Sequence, residues 1–465
     1  MIRFSERELH PKAVEILRRG LTFANAEYVN RTRFGRWVGS TPEEIVLIQV
    51  GNDETLSIPR GAITVLRDAI SRVGSQISII DKRVVRRPID YRPVDGLRDY
   101  QRNAANALVK RVQGCVIMPC GSGKSLVAIA AIAKTKQPAI VLVHTKDLLG
   151  QWQDLIYRVL GLKAGIIADG KLQTDIVTIA MVQTLATMDS ADLTAIGNRF
   201  GIVVLDEAHH CPATVFRSTL SNFAGKYRFG LTATPERADG LSPLIDLCIG
   251  PVVFEIDHAR LVASGHLVIP RVVSIKTGCS LEAASYSRMV ASLIKSPQRN
   301  ALIVDLARQE VEDGKIVLIL SGRLEHCRVL ARSLQSAGIK AEALTGNTGR
   351  AKRREIIERF RARELSVVCA TTLADEGLDV ATLERLILAT PARAESRTIQ
   401  RLGRLMRPYP GKDTPILYDL IDDSPMARRQ HAARSRAYRK VLGNDAVESD
   451  AVSSKLHLLP QVIAN

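Results

Sequence analysis

Two tandem α/β domains, each built on a parallel sheet, with a small α+β domain in front of them: this is the architecture the sequence predicts. Three observations lead to it. From Gly114 onward, short β-branched runs alternate with longer helical stretches, the pattern of a parallel sheet covered by helices. That alternation loosens between Pro251 and Pro270 and then restarts. Finally, 465 residues are too many for one ordinary core, so two or three domains are expected.

In chain order, residues 1–95 have their own texture and form the expected small N-terminal accessory domain. "EEIVLIQV" (43–50) and "ETLSIPRGAITVL" (54–66) read as strand, turn and helix, and "GSQISIIDKRVV" (74–85) offers a further strand. Residues 96–255 make the first large domain, with strands at "CVIM" (115–118), "AIVLV" (139–143), "DIVTIA" (175–180), "IVVLD" (202–206) and "YRFGLTAT" (227–234). Gly, Pro and polar residues near 250–270 supply a linker. Residues 256–465 make the second, with strands at "IVLIL" (316–320), "AEAL" (341–344), "SVVCAT" (366–371), "RLILAT" (385–390) and "PILYDLI" (415–421). The segment 424–443 is a basic helix carrying Arg428, Arg429, Arg434, Arg436, Arg439 and Lys440 without an acid. Two readings of that helix stay open, a solvated face and a DNA contact.

Bulk properties narrow the function classes. The chain is 46% hydrophobic and 24% charged, as soluble globular proteins are. A formal net charge of +17 points to a polyanionic partner, nucleic acid first, although a basic surface can also be merely solvated. Aromatics make up only 4%, which leaves room for one or two base-stacking positions at most. Seven scattered cysteines include no C-x-x-C pair, so neither a zinc site nor a disulfide framework is expected. The N-terminus lacks the apolar run of a signal peptide, and no stretch approaches a membrane span. A cytoplasmic, monomeric protein without membrane contact is the expectation.

The segment "VIMPCGSGKS" (116–125) nearly matches the phosphate-binding loop G-x-x-x-x-G-K-S/T, with Met118 at the first Gly position. Such a loop needs a strand before it and a helix N-terminus behind it, where backbone N–H groups face the phosphates. "CVIM" and "LVAIAAIAK" supply both. Gly121, Ser122 and Gly123 form the tight turn, Lys124 reaches the β/γ-phosphates, and the Ser125 hydroxyl suits Mg²⁺. In "VVLDEAHH" (203–210), Asp206 and Glu207 end an apolar strand. Asp206 would organise Mg²⁺, and Glu207 would orient and deprotonate the attacking water. ATP and Mg²⁺ are therefore the expected cofactors.

Taken with "LTATPER" (231–237) and "QRLGRLMR" (400–407), these motifs resemble the superfamily 2 DEAD/DEAH-type helicases. "MPCGSGKSLV", "DEAHH" and "TATPERADG" are more similar to the XPB-like and phage UvsW-like DNA enzymes than to DEAD-box RNA helicases, because His209 stands where the latter carry Asp. The resemblance runs from Gly96 to Gly443 and implies two RecA-like domains. It implies that Gln101, in "LRDYQ", reads the adenine, that Glu376, Gly377 and Asp379 face the inter-domain cleft, and that Gln400, Arg404 and Arg407 contribute from the second domain. The two arginines would act as arginine fingers on the transferring phosphoryl group. Nucleic-acid contacts are implied for Thr145, Gln183, Arg323 and Thr371, and coupling of hydrolysis to movement for Thr232, Thr234 and His209. XPB-like enzymes carry Arg-Glu-Asp after the "TAT" segment, whereas this chain has Arg237-Ala238-Asp239.

The N-terminal region is similar to the leading domain of UvsW-type branch-migration helicases through Phe34, Gly35, Trp37, Gly39, Pro59 and Gly61. Arg31, Arg33 and Arg36 would there suit a duplex backbone. A simpler reading has Trp37 capping a small core. The expected function is an ATP-dependent helicase that unwinds or branch-migrates DNA forks, Holliday junctions or displacement loops in replication, recombination or repair. Its partners would be single-stranded, duplex or branched DNA and proteins of recombination or repair. One alternative is a duplex translocase that does not separate strands, the motor of a repair or restriction assembly. Another is an inactive nucleic-acid-binding scaffold, against which the intact Lys124, Asp206, Glu207, Arg404 and Arg407 argue.

Overall fold

The computed structural model describes the chain except residues 52–53, 211–213, 234–240, 281–284, 372–379, 392–394, 444–446 and 449–465. It divides into two compact units, Met1–Pro119 with Gly123–Ile256, and Asp257–Asn465 with Cys120–Ser122. The class is α/β, with a parallel sheet in each unit and a small α+β region at the N-terminus.

The first unit is built on an eight-stranded sheet. Its spatial order is Val252–Glu255, Gln113–Ile117, Tyr227–Thr232, Ile202–Leu205, Ala139–Val143, Val177–Met181, Gly165–Ala168 and Lys171–Gln173. All neighbours are parallel except the last pair, an antiparallel hairpin at the edge. The central strands Ile202–Leu205, Ala139–Val143 and Val177–Met181 are buried at every position. That explains why they read as continuous apolar runs and not as alternation. Chain order and spatial order diverge in the middle, where Tyr227–Thr232 and Ile202–Leu205 insert between Gln113–Ile117 and Ala139–Val143. A crevice at the carboxyl ends of strands is where open α/β sheets place ligands.

The N-terminal region does not stand apart from this sheet. A three-stranded antiparallel sheet (Ile2–Ser5, Thr55–Ile58, Gln49–Val50) and the helices Pro11–Gly20 and Ile63–Arg72 enclose a core of Leu17, Leu21, Leu56, Ile58 and Leu66. Leu241, Leu244 and Leu247, from and beside the helix Pro243–Cys248, complete that same core. Arg60 is buried and donates to the carbonyls of Gly225 (2.6 Å) and Lys226 (2.7 Å). Burial, and then the charge of Arg228, lower its pKa to about 8. Gly61 is required by close approach, since a Cβ there would collide with the backbone carbonyls of Asp246 and Leu247.

Two sequence expectations fail here. The segment 74–85 forms no strand; it makes one isolated bridge, Val84 to Gly225, and leaves Ile79 and Ile80 exposed. Its β-branched residues had the propensity without a sheet edge to pair along. Nor is 250–270 a structureless linker. Val252–Glu255 closes the first sheet, and the helix His258–Ala263 opens the second unit.

The second unit carries a seven-stranded, all-parallel sheet. Its order is Ala341–Leu344, Val367–Thr371, Val317–Ser321, Arg385–Leu388, Ile416–Asp423, Arg271–Ser280 and Val447–Glu448. Buried charge pairs tie its helices to it. Arg299 meets Asp422 (2.7 Å) with both side chains fully buried, and Arg385 pairs with Glu310. The helix Pro425–Leu442, expected as a basic face, turns Arg434 inward onto Asp419 (2.7 Å), where Tyr438 also donates (3.1 Å). Arg434 is thus a structural cation. Such pairs fix geometry more surely than they add stability, but removing one partner leaves a costly buried charge.

His326 is buried between Ser321 Oγ (2.9 Å from Nδ1) and Asn300 Oδ1 (2.9 Å from Nε2). Burial, and then the charge of Arg299, lower its pKa to about 4. The native state therefore binds fewer protons than the unfolded state between about pH 6.5 and pH 4, and stability falls on acidification through that window. Wild type should lose about 2 kcal/mol from this group between pH 7 and pH 5, and His326→Gln should lack that component in urea titrations at both pH values. An identical pH dependence in the variant would rule out His326 as the sensor.

Candidate active site

The strand Gln113–Ile117 delivers the chain into the loop 118–123, and the helix Lys124–Thr135 leaves it. Met118 N–H still donates to the Thr232 carbonyl (3.0 Å), so the loop starts as a continuation of the sheet. Gly121 (φ +85°) and Gly123 (φ +86°) then adopt left-handed backbone that a side chain would strain. The helix behind them is buried along Val127–Ile132, which fixes its N-terminus, and its dipole, at the loop. Lys124 Nζ lies over the loop, donating to the carbonyls of Met118 (3.2 Å) and Pro119 (3.4 Å).

Gln101 sits in the first turn of the helix Asp99–Arg111 and is buried. Its Oε1 accepts from Arg98 N–H (3.0 Å), closing a capping box, while its amide nitrogen lies where a Cβ on Gly123 would be. The expected base reader is thereby packed on the phosphate loop.

Asp206 follows the strand Ile202–Leu205, two strands away from the loop strand. It is buried, and its Oδ2 accepts from Trp152 Nε1–H (2.8 Å) while Oδ1 accepts from Glu207 N–H (3.1 Å). Burial and the adjacent Glu207 push its carboxyl up to about 6, against the pull of the Trp152 bond and Lys124. Glu207 has φ +52°, an uncommon conformation for a residue with a side chain. Burial opposes its ionisation too, but the bond to His209 and the charge of Lys124 outweigh it and hold the carboxyl at about 2. His209 Nδ1 lies 3.2 Å from Glu207 Oε2 and 3.3 Å from Thr232 Oγ1. Glu207, His209 and Thr232 therefore form one chain of polar contacts, from the acidic pair to the end of the neighbouring strand.

A buried carboxylate whose ionisation is penalised fits a dication, and Ser125 and Asp206 have the hard oxygen atoms that Mg²⁺ prefers. The glycine turn, the helix N-terminus and Lys124 fit a polyphosphate.

The remaining expectations fall into groups. Thr145 and Gln183 lie at the same end of adjacent strands, where Val143 pairs with Met181. The Thr145 hydroxyl caps the helix Lys146–Leu160, accepting from Leu148 N–H (3.3 Å), and Gln183 donates to the His144 carbonyl (3.0 Å). In the second unit, Ser321 pairs with Thr371, so Arg323 and Thr371 share one end of that sheet. Arg323 donates to Ser287 Oγ (3.1 Å). Arg404 ends the helix Glu395–Leu405, and Arg407 follows it. Arg36 lies on the N-terminal region, remote in sequence from the loop. Thr234, Gly377 and Asp379, with Glu376 and the 237–239 triplet, lie outside the described residues, as does the side chain of Gln400.

Sequence reasoning missed two supports. Trp152 holds Asp206 from 54 residues away, and no local motif marks it. Lys412 donates to the carbonyls of Leu405 (2.8 Å), Arg407 (2.8 Å) and Ala381 (3.2 Å), tying down the chain that carries the two arginines.

Residues 95–237 match the family model described as "Type III restriction enzyme, res subunit", and residues 298–409 match "Helicase conserved C-terminal domain". The chain is 29% identical over 351 residues to the DNA 3'-5' translocase XPB2 of Sulfurisphaera tokodaii, covering 67% of this chain and 78% of that protein. It is 26% identical over 374 residues to the DNA 3'-5' helicase XPB of Kineococcus radiotolerans, covering 75% of this chain and 65% of that one. The fold is similar to a fragment of an HsdR subunit of a type I restriction enzyme from Vibrio vulnificus YJ016, with a TM-score of 0.58 and 19% identity over 77% of this chain and 68% of that one.

Trp152→Phe keeps an aromatic ring but removes the donor to Asp206. A hydrogen bond to a charged group is worth about 1.5–3 kcal/mol, so kcat for ATP should fall about tenfold or more with KM changed less. Steady-state kinetics check this, and an unchanged kcat would show that the indole does not position Asp206.

Proposed function

Because the chain is a superfamily 2 DNA helicase of the XPB-like branch, an ATP-hydrolysing enzyme, we propose that it spends ATP to unwind or branch-migrate branched DNA. The observation that carries this reading is the polar chain Glu207–His209–Thr232, which connects the acid beside the phosphate loop to the strand end where the "LTAT" segment begins. Through it, a change at the γ-phosphate can reach the segment that follows Thr232.

In the proposed cycle, N–H groups of the loop and the N-terminus of its helix receive the phosphates, and Lys124 neutralises their charge. Gln101 reads the base. Ser125 and Asp206 would hold Mg²⁺, which would supply charge neutralisation at the phosphoryl oxygens. Glu207, kept ionised by His209, orients the water and accepts its proton. Arg404 and Arg407 supply guanidinium charge to the transferring group, and Lys412 fixes the backbone they sit on. Thr145, Gln183, Arg323 and Thr371 are the proposed strand contacts.

A second reading, translocation along duplex DNA without strand separation, is favoured by the similarity to the DNA 3'-5' translocase of Sulfurisphaera tokodaii. One pair of assays separates the two. Release of a labelled strand from forks and four-way junctions supports remodelling, whereas displacement of a third strand from a triplex on blunt duplex, with no strand release from forks, supports translocation alone.

Glu207→Gln should retain ATP binding and lose hydrolysis on the order of 10²–10⁴-fold, the usual worth of a general base. Turnover near the wild-type rate would refute its role. Arg407→Ala should slow hydrolysis roughly 10³-fold, by the scale of other arginine fingers, with ATP affinity less changed. The reverse pattern, weak binding with normal turnover, would place Arg407 in ground-state binding instead.

A further inference from the structure

Between the paired strands Thr22–Ala24 and Glu44–Val46, the chain makes an excursion from Asn25 to Glu43. Its base is closed by Asn25 N–H to the Glu43 carbonyl (2.9 Å) and the Asn25 amide to the Pro42 carbonyl (2.8 Å). The excursion holds one helix, Ala26–Arg33, which buries none of its residues. It is a finger, fastened at its root and standing on the surface of the first unit.

Its tip is built with more care than a solvated loop needs. The helix ends in a Schellman arrangement, with Arg36 N–H donating to the Arg31 carbonyl (2.8 Å), Gly35 N–H to the Thr32 carbonyl (3.0 Å), and Gly35 at φ +59°. Arg31 pairs with Glu27 (2.6 Å) and also donates to the Trp37 carbonyl (3.3 Å), fixing the backbone on the far side of the turn. Gly39, at φ +55°, lies directly beneath the Trp37 ring, since a Cβ there would meet the indole at 2.8–3.2 Å. The indole lies against Gly39, yet it is 85% exposed, and Phe34, three residues earlier, is 67% exposed. Trp37 does not cap a core, which removes the simpler reading of this motif. The Arg36 guanidinium lies over the Phe34 ring at 5.9 Å. From Tyr28 to Pro42 there are three arginines and no acid.

We propose that this finger binds unpaired nucleotides of DNA, with Trp37 and Phe34 stacking on bases while Arg33 and Arg36 meet the flanking phosphates. The proposal rests on the reading that the protein works on branched DNA, and it assigns the finger to the strand made single at a branch. Charge and shape choose the occupant. Two exposed π-faces among cations match a chain that alternates bases with phosphates, and every base offers such a face. A blunt duplex keeps its bases stacked and presents only backbone to these rings. Since aromatics are scarce in this chain, two of them presented to solvent at one tip need a use.

The chain has two tryptophans, and Trp152 is buried beside Asp206, so fluorescence quenching that is absent in Trp37→Phe reports the finger. With the full chain at fixed salt, emission and affinity are measured for an oligothymidylate, a forked duplex and a blunt duplex. Oligothymidylate and the fork should quench wild type. Trp37→Phe should bind with near wild-type affinity but without that quenching, and Trp37→Ala should bind both about tenfold more weakly while leaving blunt-duplex affinity unchanged. Wild-type affinity of Trp37→Ala for all three DNAs would overturn the proposal, as would an equal loss on blunt duplex. DNA-stimulated ATP hydrolysis of wild type is read alongside. If it is present while Trp37→Ala binds normally, only the finger assignment fails; if no DNA stimulates hydrolysis, the underlying reading fails.

Discussion

The site depends on two neighbouring buried carboxyl groups being held by unequal partners. Asp206 and Glu207 are adjacent in sequence at the end of a fully buried strand, and burial penalises the ionisation of both. They are resolved by unequal partners. Asp206 receives an indole N–H and a backbone N–H and stays raised, whereas Glu207 receives His209 and is lowered. The proposed roles, Asp206 toward a dication and Glu207 toward the attacking water, fall on these two differently held groups. Glu207 itself takes a left-handed backbone conformation (φ +52°) that a residue with a side chain rarely adopts, directly after the buried strand end.

Sheet topology supplies the rest. Chain reversal in the middle of the first sheet brings the carboxyl ends of Gln113–Ile117, Tyr227–Thr232 and Ile202–Leu205 side by side. The phosphate loop, Thr232 and the acidic pair thus become neighbours although more than 80 residues separate the first from the others. In the second unit the same architecture is tied down differently, by buried Arg299–Asp422, Arg385–Glu310 and Arg434–Asp419 pairs. Each joins a helix to a strand of the sheet and fixes the placement of one against the other.

Residues that chemistry forces into one short motif were legible. Lys124, Ser125, Asp206 and Glu207 sit in contiguous motifs at a loop and a strand end, and strand order gathers them as expected from the sequence. The parallel strands were legible because double-sided burial leaves only apolar residues to choose from. Trp152 and Lys412 were not, since their partners lie far along the chain or are backbone carbonyls that carry no side-chain signature. The segment 74–85 misled because propensity is local whereas a strand needs an edge. Trp37 was ambiguous for a related reason. A tryptophan between two glycines suits a core cap and a displayed ring equally, and only the fold shows that no core lies beneath it.

On the proposed function, the acidic pair and phosphate loop turn over ATP in response to DNA that carries a branch. Steady-state ATP hydrolysis should be measured at one fixed salt concentration without nucleic acid and with single-stranded DNA, blunt duplex, a four-way junction and RNA. Salt must be held constant because a chain of net charge +17 binds any polyanion at low ionic strength. Basal hydrolysis should be slow and stimulation by the junction strongest, as the branch-remodelling reading requires. Stimulation by RNA alone, or a rate indifferent to every nucleic acid, would contradict it.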